Sequence, residues 1–136
     1  MSEQNEVFCI AEVGSNFNND LDLAKRYVYA CAEAGANAIK FQTLQKNLII
    51  SPVAKVGGKV VPYPIYDIFY SAELPEPWHY ELRKEADIAG IEFMSTPFHL
   101  EAVDLLIDVG VNRIKVASGD ITFYPLLERI GETGKD

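Results

Sequence analysis

Two lysines lie inside apolar segments, where a charged side chain needs either a partner or a function. The segments are Ile39–Phe41, around Lys40, and Ile114–Val116, around Lys115. Two ammonium groups with hydroxyl donors beside them suit a small dianion such as a phosphate ester, so the pattern predicts an anion-binding site. Further polar side chains stand at or after the ends of four apolar segments: Glu12, Gln42, Ser95, Thr96, Ser118 and Asp120.

Each lysine also has a simpler explanation, because a buried charge is usually paired with an opposite one. Lys40 or Lys115 could merely form an ion pair with a nearby carboxylate such as Glu12. Two lysines at equivalent positions of two segments, with hydroxyls nearby, favour the anion site over two unrelated ion pairs.

The histidines and cysteines show no pattern of a metal site. His79 and His99 stand at the starts of two predicted helices, without a second ligand at metal-binding spacing, and we interpret both as surface residues. Cys9 and Cys31 lie in apolar surroundings, which predicts two buried, reduced thiols.

The segments that must position these residues alternate between strand and helix patterns. Apolar runs predict strands, and helical spacing with glycine stops predicts the helices between them. The predicted strands are Val7–Val13, Ala36–Thr43, Ile91–Thr96 and Asn112–Ala117, and the predicted helices are Leu21–Ala34, Pro77–Ala89, His99–Val109 and Tyr124–Gly131. This order predicts an α/β fold with parallel strands and right-handed crossovers.

An internal repeat favours a barrel over an open sheet. Gly35–Phe41 resembles Gly110–Val116, and each segment joins a helix stop to a strand. Such repetition is typical of a (β/α)₈ TIM barrel, which needs about 250 residues. The 136 residues therefore predict a half-barrel, the first four βα units, in one domain spanning residues 1–136. No glycine-rich fingerprint follows the first strand, which argues against a dinucleotide-binding sheet.

Residues 44–76 interrupt the alternation. Four prolines and the pair Gly57-Gly58 fall in this stretch, with short apolar pieces between them. We interpret it as a long loop with a small hairpin around the two glycines.

Composition excludes several classes of protein. The 12 basic and 20 acidic residues give a net charge of −8, which argues against nucleic-acid binding. The apolar runs are far shorter than the ~20 residues of a membrane span. Residues 1–6 lack the basic start and apolar stretch of a signal peptide, so we expect a cytoplasmic protein.

Four motifs together resemble the sialic acid synthase (N-acetylneuraminate synthase) family. They are Ile10–Asn16, Ile39–Thr43, Met94–Phe98 and Ile114–Asp120, and they occur in the family's order. The resemblance implies a TIM barrel followed by a small antifreeze-like domain, a homodimer, and a divalent metal, Mn or Mg. It implies condensation of phosphoenolpyruvate with an N-acylated hexosamine, or its 6-phosphate, giving a sialic acid and phosphate with C–O cleavage of phosphoenolpyruvate.

The resemblance also implies which residues bind the substrates. Lys40, Thr96, Lys115 and Ser118 would bind phosphoenolpyruvate, and Gln42 would lie beside the sugar.

Three residues would take part in catalysis. Glu12 would lie near the metal and the sugar aldehyde, and Lys115 would stabilise the anion during reaction. Asp120 stands where the family often has Glu, and it would handle the water that attacks C2 of phosphoenolpyruvate.

The chain departs from the family pattern in two ways. Phe17 and Asn19 replace the family's His and Gly, which raises the question of altered substrate choice or metal contact. The family's second barrel half, with its metal-binding histidines, would follow Asp136. We therefore expect a fragment that holds no metal by itself and is inactive alone.

Two other functions remain open. A half-barrel exposes two strand edges and could serve as a non-catalytic assembly module that pairs with itself or a partner. Another phosphoenolpyruvate-condensing or aldolase-type barrel would also use strand-borne lysines.

Overall fold

A computed structural model describes residues 7–136, apart from the side chains of residues 46 and 70. Residues 1–6, on which the prediction of a cytoplasmic location partly rests, lie outside the described residues. Within the described range, no helix has the length and apolar character required to cross a bilayer.

Three parallel strands form the central sheet. In spatial order they are β1 (Ile10–Gly14), β2 (Ala38–Thr43) and β5 (Glu92–Pro97). Helix α1 (Leu21–Glu33) joins β1 to β2, and α4 (Glu76–Ala89) precedes β5. The predicted alternation of parallel strands and helices is thus confirmed for the first three units.

Local signals at the helix ends explain these boundaries. The Asp20 side chain accepts a hydrogen bond from the Leu23 backbone N–H at 2.9 Å and begins α1. Gly90 and Gly110 end α4 and α5 (Leu100–Val109) in the left-handed conformation, as the sequence predicts. The last helix, α6, spans Tyr124–Glu132.

The predicted fourth strand, Asn112–Ala117, does not form. This segment makes one isolated parallel bridge, between Ile114 and Ser95 of β5. On its other side the Ile114 N–H donates to the carbonyl of Asp136 at 2.8 Å, and Asp136 belongs to no strand of the described residues. A strand is extended by continuous pairing with a neighbour, and here the pairing stops after one bridge. The structure therefore does not confirm a half-barrel of four strands.

Residues 44–76 contain more structure than a loop. The predicted hairpin is confirmed: β3 (Val53–Val56) and β4 (Lys59–Pro62) pair in antiparallel fashion around two glycines with positive φ. Two unpredicted helices flank the hairpin, α2 (Lys46–Ile49) and α3 (Ile65–Ala72). The prolines and glycines of this stretch indicate a loop, whereas the aromatic and branched residues of α3 form a helix between them.

The core lies between the sheet and its helices, on the face opposite Lys40. Phe41 and Phe93 stack there, and Phe17 packs beside them with its ring 6.1 Å from the Phe41 ring.

The prediction of two buried thiols is wrong, because Cys9 is exposed and Cys31 is partly exposed. Cys9 precedes β1, the edge strand of the described sheet, and pairs through its backbone with Asn37 and Ala38 while its side chain stays exposed.

Candidate active site

Strand β2 presents its polar residues on one face and its core residues on the other. Side chains alternate along a strand, so Lys40 and Gln42 share the face opposite Phe41 and Thr43. The register places Lys40 beside Glu12 of β1, and Gln42 beside Thr96 of β5. Four residues predicted from three separate motifs thus meet on one face: Glu12, Lys40, Gln42 and Thr96.

Lys40 is the centre of this group. It is 8% exposed, its Nζ forms an ion pair with Glu12, and it donates to Thr96 Oγ1 at 3.2 Å. The ion pair with Glu12 is the simpler explanation that the sequence left open, and it is present. An ammonium group has three N–H donors, so one remains for an anion beside these two partners.

Glu12 reaches Lys40 across an irregularity in β1. The register between β1 and β2 shifts between Glu12 and Gly14, and Gly14 has a φ of +58°. A Cβ at Gly14 would lie 3.2 Å from Glu12 Oε1 and 3.7 Å from Gln42 Nε2. Gly14 therefore leaves the space in which the carboxylate and the amide approach each other. We did not single out this glycine, although a glycine directly after a strand's polar end is a signal of close approach.

The carboxylate of Glu12 meets water as well as Lys40. Its side chain is 50% exposed, whereas Lys40 beside it is buried. An exposed carboxylate next to a buried ammonium group can leave its partner when a stronger anion arrives, and it can then exchange protons with a bound substrate.

Lys115 approaches the group through its backbone only. Its N–H donates to the carbonyl of Ser95 at 3.2 Å, which places it beside β5. Its side chain is exposed, and Nζ donates to the neighbouring carbonyl of Val116. Among the described residues Lys115 forms no ion pair, and an anion could replace its bond to the Val116 carbonyl.

Ser118 and Asp120 lie in one 3₁₀ turn, Ser118–Asp120, directly after this segment. Ser118 is exposed, and no hydrogen bond or ion pair within residues 7–136 joins either residue to Lys40. Asp120 Oδ2 is buried and has no hydrogen-bond partner among the described residues. A carboxylate oxygen in that state is an acceptor available to a water molecule or a substrate.

The interpretation of both histidines as surface residues is wrong. His79 is fully buried and bonds Thr43, while His99 is 8% exposed and caps α5 by accepting from the Ala102 N–H at 3.2 Å. His79 has its hydrogen-bond partner on another element, Thr43 of β2, which a pattern along one helix does not reveal, whereas the bond of His99 is a local cap of its own helix.

The two departures from the family pattern have structural roles behind or beside the sheet. Phe17 is fully buried, with its ring 6.3 Å from that of Trp78, so it belongs to the core and not to the face of Lys40. Asn19 has a φ of +55°, a conformation that favours Gly and that Asn tolerates better than most residues. Asn19 therefore occupies a backbone position at which glycine is also favourable.

The described residues do not fit a resident metal by themselves. No group of three or more His, Cys, Asp and Glu side chains comes together in the part of the chain that the structure describes. The chemistry available on this face is that of a carboxylate, an ammonium group, an amide and a hydroxyl. These groups can bind an anion and its carbonyl or hydroxyl neighbours and can transfer protons.

Comparison with known proteins agrees with this arrangement. Residues 27–136 match the NeuB family. An uncharacterized protein of Methanocaldococcus jannaschii is 44% identical over 94% of this chain, and the N,N'-diacetyllegionaminic acid synthase of Legionella pneumophila is 43% identical over 89%. The chain spans 35% of the length of each of these two relatives.

A solved structure has the same fold. The N-acetylneuraminic acid synthetase of Leptospira borgpetersenii, determined in complex with citrate, matches 96% of this chain with a TM-score of 0.84 and 33% identity. This chain covers 43% of that structure.

Proposed function

Because the chain belongs to the NeuB family, we propose that it forms the phosphoenolpyruvate-binding part of a sialic-acid-type synthase. Its homologues are sialic-acid-type synthases. The reaction condenses phosphoenolpyruvate with an N-acylated hexosamine, or its 6-phosphate, and releases phosphate. The rest of a TIM barrel, an antifreeze-like domain and the ligands of a Mn or Mg ion would come from outside this chain.

One observation carries the proposal: a buried lysine with a donor to spare stands between a carboxylate and a hydroxyl. Lys40 contacts Glu12 and Thr96 and keeps one N–H for an anion. Phosphoenolpyruvate carries a phosphate and a carboxylate, so it would displace Glu12 and bind Lys40 together with Thr96. Lys115 and Ser118, both exposed, would turn in to complete the site.

The remaining groups suit the bond changes of the reaction. C3 of phosphoenolpyruvate attacks the sugar aldehyde, forms the new C–C bond and leaves positive character at C2. Water adds to C2 and gives up a proton, which Asp120 would accept through its unpaired Oδ2. Phosphate then leaves with cleavage of the C–O bond, while the new hydroxyl at C2 gives up its proton and becomes the keto group. Glu12, once displaced from Lys40, would face the aldehyde oxygen beside Gln42, where a proton is taken up as the C=O bond becomes C–OH.

A chimera tests this function in a complete barrel. In it, this chain replaces the matching segment of the Legionella synthase, and phosphate release is measured with phosphoenolpyruvate, that synthase's own sugar substrate and Mn. We expect turnover within the usual enzyme range of about 1–10³ s⁻¹ for the chimera. We expect none for the isolated 136-residue chain, because an open sheet does not exclude water.

The control chimera carries Lys40→Met and should lose activity while remaining folded. A folded, unsubstituted chimera that releases no phosphate, measured beside an active parent synthase, would refute the proposed function. Turnover by the isolated chain would refute the expectation that it is inactive by itself. It would show that these 136 residues suffice for catalysis.

Assembly is a second candidate function, favoured by apolar side chains that face water at the start of β1. Val7 is 81% exposed, and Phe8 and Ile10 are each 43% exposed. An edge strand with such residues is suited to pair with a second copy or a partner. Sedimentation of the purified chain separates the two functions, since a monomer at all concentrations would count against assembly as a homo-oligomer.

A further inference from the structure

A chain of three buried polar side chains runs behind the proposed site. Thr43 Oγ1 lies 2.7 Å from Ser95 Oγ and 2.8 Å from His79 Nε2, and His79 Nδ1 lies 3.1 Å from the carbonyl oxygen of Pro75. Thr43 is 4% exposed, and Ser95 and His79 are fully buried. Buried groups of this kind are retained where each has its partner, and in this chain each does.

The donors and acceptors fix the direction of every bond. A carbonyl oxygen can only accept, so His79 Nδ1 carries the proton and donates it to Pro75. Nε2 then has a free lone pair and accepts from the Thr43 hydroxyl. Thr43 Oγ1 in turn accepts from the Ser95 hydroxyl. Burial lowers the pKa of His79, more than its backbone hydrogen bonds raise it, and so keeps the ring in this neutral form.

The three residues belong to the elements that carry the site. Thr43 follows Gln42 at the end of β2, and Ser95 precedes Thr96 in β5. The carbonyl of Ser95 accepts the N–H of Lys115, which is the bond that holds the Lys115 segment to the sheet. His79 lies in α4, so its hydrogen bond to Thr43 joins that helix to β2. These hydrogen bonds thus connect helix α4 to the three segments that contain Lys40, Thr96 and Lys115.

We propose that His79 is a positioning residue for the phosphoenolpyruvate site: through Thr43 and Ser95 it fixes the carboxyl ends of β2 and β5 and the attached Lys115 segment. This inference rests on the proposed function. Backbone pairing already aligns β2 and β5, but it ends at Thr43 and Pro97. The Lys115 segment is paired with β5 by a single bridge, between Ile114 and Ser95. A displacement of about 1 Å at such a place is enough to weaken a bound state substantially.

The first test is spectroscopic. Long-range ¹⁵N–¹H spectra of the 136-residue chain report which ring nitrogen of His79 is protonated. The inference predicts a neutral ring with the proton on Nδ1, the less common tautomer, and a shift of the Nε2 resonance in Thr43→Val. A ring protonated on Nε2 would overturn the inference, because Thr43 would then have to accept from His79 and the direction of the chain would be reversed.

The second test separates positioning from stability. Phosphoenolpyruvate is titrated into the wild-type chain, Thr43→Val and Thr43→Ser, and the unfolding free energy of each is measured in urea. Thr43→Val should bind about tenfold more weakly, the effect of one lost hydrogen bond transmitted to the site. Thr43→Ser keeps the hydroxyl and should restore binding. Thr133→Val, which removes a hydroxyl bonded to the Ile130 carbonyl in α6, is the matched control and should bind as wild type does.

Each outcome has a separate meaning. Equal affinities for the wild type and Thr43→Val overturn positioning and leave the proposed function standing. Absence of phosphoenolpyruvate binding by the wild type overturns both. If Thr43→Val does not fold, Ser95→Ala takes its place and should show the same loss of affinity.

Discussion

Lys40 and Glu12 form an ion pair, and this contact leads to opposite predictions for their substitutions. Lys40 is buried and provides the positive charge, whereas Glu12 competes with any anion that approaches it. Glu12→Gln should therefore bind phosphoenolpyruvate at least as tightly as the wild type. In the chimera the same substitution should abolish most turnover, because the proton-exchanging carboxylate is lost.

The measurement is a pair of titrations and rate assays on the same preparations. Glu81→Gln is the matched control, since Glu81 is an exposed carboxylate paired with Lys25 on the helical side. Weaker phosphoenolpyruvate binding by Glu12→Gln would show that Glu12 helps to hold the anion and would contradict this account.

Asp120 should affect rate more than affinity. Its unpaired Oδ2 has no role in holding the described structure, so Asp120→Asn should leave phosphoenolpyruvate binding close to wild type. Turnover of the chimera should fall about a hundredfold or more, as when a general base is removed. A variant that lost affinity and kept its maximal rate would move Asp120 into the binding site and out of the proton-transfer step.

His79 gives stability a dependence on pH. Burial lowers its pKa below the ordinary value of 6.5 in the native chain, whereas the unfolded chain takes up the proton near that value. The unfolded state therefore binds more protons as the pH falls below about 6.5, and stability decreases by up to about 1.4 kcal/mol per pH unit from this group. The loss continues until the pH reaches the native pKa.

Urea unfolding between about pH 7 and pH 5 checks this dependence, with His79→Gln as the comparison. Gln can still accept from Thr43 but does not titrate, so its stability should decrease less on acidification. Parallel curves for the two proteins would mean that His79 is not neutral in the native state.

The sequence identified which polar residues belong to the strand ends, but it did not identify which of them are buried or hydrogen-bonded. The sequence places polar residues at the ends of the strands, and the structure brings Glu12, Gln42 and Thr96 to the face of Lys40, but it brings Ser95, from the same pattern, to the opposite face. The sequence was not sufficient for His79, whose partner Thr43 is 36 positions away and on another element. Hydrogen bonds over such distances depend on packing that no local pattern contains.

At the scale of elements, the irregularity in β1 is the feature most open to test. Gly14→Ala should cost about 1–2 kcal/mol, because an L-residue at a φ of +58° is strained. The new methyl group would also press on the Glu12 carboxylate and move it relative to Lys40. Unfolding free energies and phosphoenolpyruvate affinity should both decrease.

Gly131→Ala is the control for that substitution. Gly131 lies in α6 with open space around it, so alanine should be neutral or stabilising there. If Gly14→Ala is as stable as the wild type and binds as well, the glycine is not needed for the approach of Glu12 and Gln42.

Elements with strong boundary signals were predictable, and those without them were not. Asp20, Gly90 and Gly110 mark helix ends by their own chemistry, and the hairpin follows from Gly57-Gly58. The segment Asn112–Ala117 has the composition of a strand but lacks continuous pairing with a neighbour. Whether such a run becomes a strand is decided by what lies beside it, not by its own residues.

At the scale of the whole molecule, the described chain is an open sheet with a closed helical side. Its core residues are buried between β2, β5 and the helices, while on the other face of the sheet Lys40 lies between Glu12 of β1 and Thr96 of β5. The proposed function therefore needs further strands beside this face to exclude water. It also makes the binding of phosphoenolpyruvate, rather than turnover, the property to measure on the chain itself.

The most direct measurement is a titration of the ¹⁵N-labelled chain with phosphoenolpyruvate, followed at the backbone amides. We predict saturable shifts at Lys40, Gln42 and Thr96, and a loss of about tenfold or more in affinity for Lys40→Met, since a hydrogen bond to a charged group contributes about 1.5–3 kcal/mol. Lys84→Met, which removes an exposed charge from α4, should bind as the wild type does. Shifts that do not saturate, or that are the same in Lys40→Met, would contradict the claim that Lys40 and its neighbours form the phosphoenolpyruvate site.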